Sequence, residues 1–292
     1  MKNMKLWTAL RVIKTLLWTK SYKKARFVWY EASFDIDNFD NDMLLTQIGY
    51  FGHHLEKALK HHNRGKRGIE KRNKLELLVN EAIKRGIKED KVFKWAKHLI
   101  EYYDNNSEIY IKKIDSIKEH PYQNEILKAI KERTTVRFWQ PKEVTDEIIE
   151  DILYTSMHSA LSCNRQSIRF VVVKNKLENI KIGDSNNNSM FEKAPVLIYV
   201  VDDERFFPEK YGNALDVGGV CSLIQLAAST YGLAGSWIYH SESYEQYNLK
   251  KKLGLPDYMY IYSSITLGYP ADMQEKPPRY STKRFIIRKI NV

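Results

Sequence analysis

The sequence predicts a two-part protein: an all-helical stretch over residues 1–120, then an α/β (α+β) layered domain over residues 121–292. Three observations carry this reading. Apolar residues in the first part recur at helical spacing, one segment after another. In the second part short apolar runs bounded by turn residues alternate with helical patterns, the arrangement of a layered sheet-and-helix domain. Charge divides at the same place: of the net +11, residues 1–120 carry +9 and residues 121–292 carry +2. The length of 292 residues allows a full enzyme domain plus an extension.

Taken in order, Leu6, Leu10, Ile13 and Leu17 mark a first helix with basic residues between them. Leu44, Ile48, Phe51, Leu55 and Leu59 form a second stripe, with Asn41 or Asp42 as the expected cap. A third helix carries Leu75, Leu78, Val79 and Ala82 and stops at Gly86, and a fourth carries Val92, Trp95, Ala96, Leu99 and Tyr103. A basic, Gly-containing turn, His61 to Gly68, joins the second to the third. Beyond Pro121, Ile126, Leu127 and Ile130 mark a helix leading into Arg133-Thr134-Thr135-Val136-Arg137. Thr145 is the expected N-cap of a helix bearing Ile148, Ile149, Ile152 and Leu153. Phe170–Val173, Val196–Val201 and Tyr258–Leu267 read as strands buried on both faces. The helix from Asn213 to Tyr231 is apolar nearly all round and must be buried in a core or at a subunit interface. Gly232 closes it before a short strand, Ser236–Tyr239.

Composition excludes several classes. Two cysteines, Cys163 and Cys221, make no disulfide framework and read as reduced thiols of a cytoplasmic protein. The apolar stretch Leu6–Trp18 is interrupted by Arg11 and Lys14 and lacks a small-residue cleavage site, so neither a span nor a secretory signal is expected. Two readings stand for the basic segment 1–26 with Trp7 and Trp18: packing on the rest of the protein, which we expect, or peripheral contact with an anionic membrane. No nucleic-acid partner is expected, since no recognised module accompanies the charge.

Three clusters bear chemistry. Arg133 and Arg137, with Thr134 and Thr135 between them, can converge on one phosphate through charge-assisted contacts. Ser162 to Ser167 is dense in amides, and Asn164 with Gln166 suits the edge of a heterocycle. Gly232 and Gly235 bracket a turn into Ser236 where a backbone without Cβ admits a planar ligand. Each cluster taken alone also has a bland reading, respectively surface arginines, a polar loop, and a helix C-cap with its loop.

In chain order these pieces resemble the FMN-dependent nitroreductase family. Arg133-Thr134-Thr135-Val136-Arg137-Phe138 is similar to its opening Arg-x-Ser-x-Arg/Lys-x-Phe signature, and Leu161 to Phe170 resembles its Pro-Ser-x-x-Asn-x-Gln-Pro-Trp-x-Phe loop. Ala194-Pro195, Asp216-Val217-Gly218-Gly219, Gly232 to Ser236, Leu267 to Pro270 and Pro277-Pro278-Arg279 follow in the family's order. The resemblance spans 121 to about 285 and implies a central mixed or antiparallel sheet flanked by helices. It implies FMN, with NAD(P)H as electron donor and a small organic acceptor of nitro, quinone or enone type. Arg133, Thr134, Thr135 and Arg137 would hold the phosphate and ribityl end, Arg279 would approach from the C-terminal side, and Asn164 and Gln166 would lie against the ring. The Gly235–Ser236 turn would offer backbone groups near the ring's reactive edge. The resemblance further implies a homodimer with FMN at the interface and the Asn213–Tyr231 helix at its core. No side chain is assigned as a catalytic acid or base.

The sequence departs from the family where Ser167 and Ile168 replace the Pro-Trp pair and Leu161 the leading proline. Between Lys174 and Lys193 a polar loop, Gly183 to Ser189, stands where relatives place helices that roof the flavin. The N-terminal helices are the expected substitute roof. Two alternatives therefore stay open: a specialised flavin enzyme of dehalogenase or flavin-fragmenting type, or a binding or scaffold protein of a cell-surface polysaccharide pathway. The missing Pro-Trp pair and the short roof keep the latter open; His54 to Leu59 resembles a stretch in nitroreductase-like proteins with an N-terminal helical extension, some encoded beside cell-surface polysaccharide genes. His53, His54, His61 and His62 are not expected to bind metal.

Overall fold

The computed structural model describes residues 2–60, 65–105, 110, 121–174, 178, 189–209, 211–240, 244–272 and 278–286. Five helices come first: α1 (Lys2–Thr19), α2 (Tyr22–Ser33), α3 (Asn41–Leu59), α4 (Gly65–Lys84) and α5 (Asp90–Asn105). The stripes read on α3 and α4 are the buried ones, Leu44, Ile48, Phe51, Leu55 and Leu59 against Leu75, Leu78, Val79 and Ala82. α5 adds Phe93, Ala96, Leu99 and Ile100, with Val92, Trp95 and Tyr103 at the margin. α3 is capped one residue before the expected position: Asp40 accepts from the Met43 N–H at 2.8 Å. α2 was not foreseen, because its short amphipathic pattern runs on from α1 with no Gly or Pro between them. His61, His62 and the rest of the basic turn up to residue 64 lie outside the described residues, as do 106–109 and 111–120, where the boundary was expected.

The second part holds α6 (Gln123–Glu132), α7 (Asp146–Ser156), β1 (Ile168–Val173), β2 (Val196–Asp203), α8 (Gly212–Thr230), β3 (Trp237–Tyr239), α9 (Tyr244–Lys252), β4 (Met259–Leu267) and α10 (Thr282–Phe285). The strands form one antiparallel sheet in the order β1-β2-β4-β3. β2 is central and buried along its whole length. Val196, Ile198 and Val200 face a core shared with α7 and α8, while Leu197, Tyr199 and Val201 face one built with Phe191, Leu249 and Ile261. A sheet covered on both faces explains the unbroken apolar run. β1 departs from that expectation: it is an edge strand, and only Ile168 along it is fully buried.

One helix exposes part of what its sequence led us to bury, and another is buried nowhere. On α8 a single stripe is buried, including Val217, Val220, Cys221, Ile224 and Ala228, while Leu215 is 76% exposed. On α6 no residue is buried, and Ile126, Leu127 and Ile130 all reach solvent. Among the described residues nothing apolar covers these faces. Thr145 stands at the N-cap of α7, but its side chain makes no capping hydrogen bond.

The helical part is welded to the sheet. Phe206 and Phe207, which follow β2, are buried in the core of α3, α4 and α5. Phe206 meets Phe27 of α2 edge-on at 5.3 Å. Arg205 beside them donates to Asp203 at 2.5 Å and to Asp40 at 2.6 Å, with its guanidinium 3.8 Å from the Tyr258 ring centre. Arg169 on β1 pairs with Asp42 at 2.9 Å.

Candidate functional site

The segment after α6 runs extended beside the turn that precedes β3. Val136 N–H donates to the Gly235 carbonyl at 3.2 Å, and the Trp139 indole donates to the Ala234 carbonyl at 2.9 Å. This pairing brings residues a hundred positions apart to one place. A cavity of about 310 Å³ opens there, lined by Arg133, Thr134, Gln225, Gly232 and Gly235 among others. Arg133 donates to the Gln225 side chain on α8 at 2.9 Å, which aims the guanidinium across the cavity. One of its five N–H donors is used this way, and the others suit an oxyanion. Glu132 also lines the cavity, an exposed carboxylate 3.9 Å from Lys128.

Not every expected residue converges here. Thr135 is half-buried next to Thr134, and Arg137 and Arg279 are exposed; none of the three lines the cavity. Pro277 lies outside the described residues. Gly235 lacks a side chain for a different reason from the one expected. A Cβ there would stand 1.5 Å from the Thr266 carbonyl oxygen, so the glycine answers to strand β4 rather than to a ligand. Ser236 is buried, its hydroxyl donating to the Val136 carbonyl and its N–H to Thr266 Oγ1, both at 2.9 Å. This turn therefore spends the Gly235 carbonyl and the Ser236 N–H and hydroxyl within the chain.

Asn164 and Gln166 occupy a separate surface. Cys163, Asn164 and Gln166 all take left-handed backbone, at φ of 51°, 53° and 51°. Such conformations cost about 1–3 kcal/mol each in non-glycine residues and persist only where the surroundings impose them. Here several anchors do so. Asp216 of α8 accepts from the Ser162 N–H at 2.9 Å and hydroxyl at 2.8 Å. Arg165 is buried with its guanidinium 5.3 Å from the Tyr50 ring centre and 4.8 Å from that of Phe207. Ser167 donates to Asp202 at 2.6 Å. Gly49 of α3 lies so close that a Cβ would stand 2.3 Å from the Asn164 carbonyl oxygen. Gln166 donates to Asn164 at 3.0 Å, and it lines a second cavity of about 360 Å³ between this loop, α3 and α5.

Gln225, Asp216, Gly49 and Tyr50 escaped the sequence reading as site residues. Asp216 carried the one usable signal: a carboxylate one turn into an otherwise apolar helix must meet donors. A larger cavity, about 760 Å³, is walled by Phe138 to Val144 and Lys193 to Pro195 and contains none of the expected residues. The loop Gly183 to Asn188 lies outside the described residues; Ser189 begins a short helical turn to Lys193.

The residues fit the phosphate end of a flavin mononucleotide: an arginine aimed by an amide, a threonine and a glycine-lined wall around one cavity. Its volume lies at the low end of the ~300–1,000 Å³ typical of small-molecule sites, so a ring system would extend beyond it.

Comparison with known proteins agrees. The family model of the nitroreductase family matches residues 130–196. A "Putative NADH dehydrogenase/NAD(P)H nitroreductase" of Methanothermobacter thermautotrophicus is 30% identical over 151 residues, covering 51% of this chain and 78% of that protein. A protein of Bacillus subtilis named FMN reductase (NAD(P)H) is 26% identical, covering 53% of this chain and 70% of its own length. Among solved structures, a "Putative NADH Oxidase" of Clostridium acetobutylicum superposes with a TM-score of 0.51 at 24% identity, covering 56% of this chain and 99% of the other. A nitroreductase-like protein of Streptococcus mutans gives 0.52 at 17% identity, with coverages of 57% and 98%. These structures share the fold. The chain belongs to the nitroreductase family.

Proposed function

We propose that this chain is an FMN-dependent NAD(P)H oxidoreductase, built as a homodimer, that passes electrons to a small organic acceptor of nitro, quinone or enone type. The observation that carries the reading is the convergence of Arg133, aimed by Gln225, with Thr134 and Gly235 on one cavity. Family membership and relatives named for NAD(P)H and FMN support it.

Bound FMN would supply reversible two-electron transfer between a nicotinamide and the acceptor. The chain's own residues bind and orient. Arg133 and Thr134 would hold the phosphate, with Thr135, Arg137 and Arg279 completing the ribityl and phosphate end. Asn164 and Gln166 would meet the ring edge, and the Gly235–Ser236 turn would back it. The amide loop and the phosphate cavity are separate on one chain. We therefore place Asn164 and Gln166 of each protomer at the flavin bound by its partner. The open faces of α6 and α8 support a second copy there. Helices α1 to α5, within the region 1–120, form a helical extension whose α3 braces the amide loop, and with it the roof of the site.

Purified protein should be yellow, release FMN on denaturation, and bleach anaerobically with NADH or NADPH. The Arg133→Ala/Arg137→Ala variant should bind FMN at least ~100-fold more weakly, as two charge-assisted contacts of ~1.5–3 kcal/mol each imply. A double variant that stays fully yellow removes the site assignment. A panel of nitro, quinone and enone acceptors, scored by reoxidation rate, then tests the acceptor class.

A further inference from the structure

α1 is turned inside out. Its inward face is lined by Thr15, which is buried, and by half-buried Thr8, Val12 and Thr19. Its outward face carries Leu6, Trp7, Leu10, Ile13, Leu17 and Trp18, exposed by 52–74%. Helical spacing places those six on one broad arc. A water-facing helix of a folded protein normally shows the opposite order, since every large apolar side chain left in water forfeits about 1.5–3 kcal/mol of burial. α1 does pack on α2, but its Leu6, Leu10, Ile13 and Leu17 stripe is left exposed.

Charge tells what covers the face. Lys and Arg occupy eight of the first 30 positions and Asp or Glu none; the first acid is Glu31. Lys14 sits within the apolar arc, 5.7 Å from the Trp18 ring centre, and Arg11 borders it, 3.7 Å from Glu31. Trp7, Leu10, Arg11, Lys14 and Trp18 also wall a groove of about 570 Å³ that continues onto Pro208 and Glu209. A second copy of this chain would have to bury these cations, which is costly without matched acids. A bilayer surface takes both features together: apolar side chains enter the acyl boundary, cations stay among anionic headgroups, and tryptophan suits the level between them. No helix among the described residues is long and apolar enough to cross a membrane, so the contact is with a surface. We propose that α1 seats this enzyme on an anionic lipid surface through Leu6, Trp7, Leu10, Ile13, Leu17 and Trp18.

The full-length protein is sedimented with vesicles of phosphatidylcholine alone and of phosphatidylcholine and phosphatidylglycerol in equal parts. Binding to the mixed vesicles should be at least ~10-fold stronger at low salt and should weaken as salt rises. Trp7→Ser/Leu10→Ser/Leu17→Ser should lose that binding ~10-fold or more, with circular dichroism unchanged. Lys14→Glu, a single exposed change, is the second variant; it should weaken binding to mixed vesicles and leave binding to neutral ones unaltered. Equal binding to the two vesicle types, or triple-variant binding equal to wild type, overturns the proposal. So does a wild-type assembly in solution that the triple variant breaks into smaller species, for then a second copy covers the face.

Discussion

Single buried atoms set the sharpest expectations. Asp202, at the end of β2, is wholly buried, and that burial raises its carboxyl to about 7 against the opposing hydrogen bond from Ser167. Its second oxygen has no donor among the described residues, so the neutral acid suits the site. A carboxyl raised on folding contributes fully below about pH 4 and loses its contribution as pH rises through 7. His240 is opposite: burial lowers it to about 4, so its contribution is full above about pH 6.5 and lost as pH falls toward 4. Asp202→Asn should therefore flatten the fall in stability toward neutral pH, by up to about 4 kcal/mol across the window, and leave the acid-side loss in place. Urea midpoints from pH 4 to 8 measure this, and unchanged slopes would refute it. Gly49→Ala should cost about 1–3 kcal/mol and weaken FMN binding by displacing Asn164. Gly52→Ala, whose Cβ would strike the Trp95 ring at 2.3 Å, should destabilise comparably while sparing the flavin. Equal FMN affinity in both variants would show that α3 does not position the loop.

At the scale of elements, periodicity was informative about which segments are helices and strands and less so about which face is covered. α3 and α4 fold as read because both partners of their stripes lie in the same chain. The cap of α3 was misread by one residue because Asp40, Asn41 and Asp42 are all cap-competent by type; the bond from the Met43 N–H falls to Asp40. β1 and β2 read alike as apolar runs, yet β1 is an edge strand. The faces of α6 and α8 give the prediction at this scale. On the proposed dimer, Ile126→Asp with Leu215→Asp, both exposed, should give monomer in sedimentation velocity and release FMN with it, since the amide loop would then lose the proposed partner cavity. A variant still dimeric would place the interface elsewhere.

Across the whole molecule, Phe206 and Phe207 tie the helical extension to the sheet, so the two parts share apolar core in addition to the Arg205–Asp40 and Arg169–Asp42 pairs. We expect one cooperative unfolding transition, with helix content, tryptophan fluorescence and flavin release coinciding. Phe206→Ala should cost about 3–5 kcal/mol and lower all three midpoints together. Separate transitions in the wild type would mean that the extension folds on its own.

By itself the sequence determined most of the helices and strands and the family, because spacing and motif order are local properties of a chain. Only the tertiary structure decided that Gln225 aims Arg133, that Asp216 and Gly49 fix the amide loop, and that Gly235 yields to Thr266. Those depend on which residues distant in the chain come within a few ångströms, and periodicity does not encode distance. The same cause left the outward faces of α1, α6 and α8 unread: an apolar stripe states that something must cover it, and the covering surface is a matter of assembly.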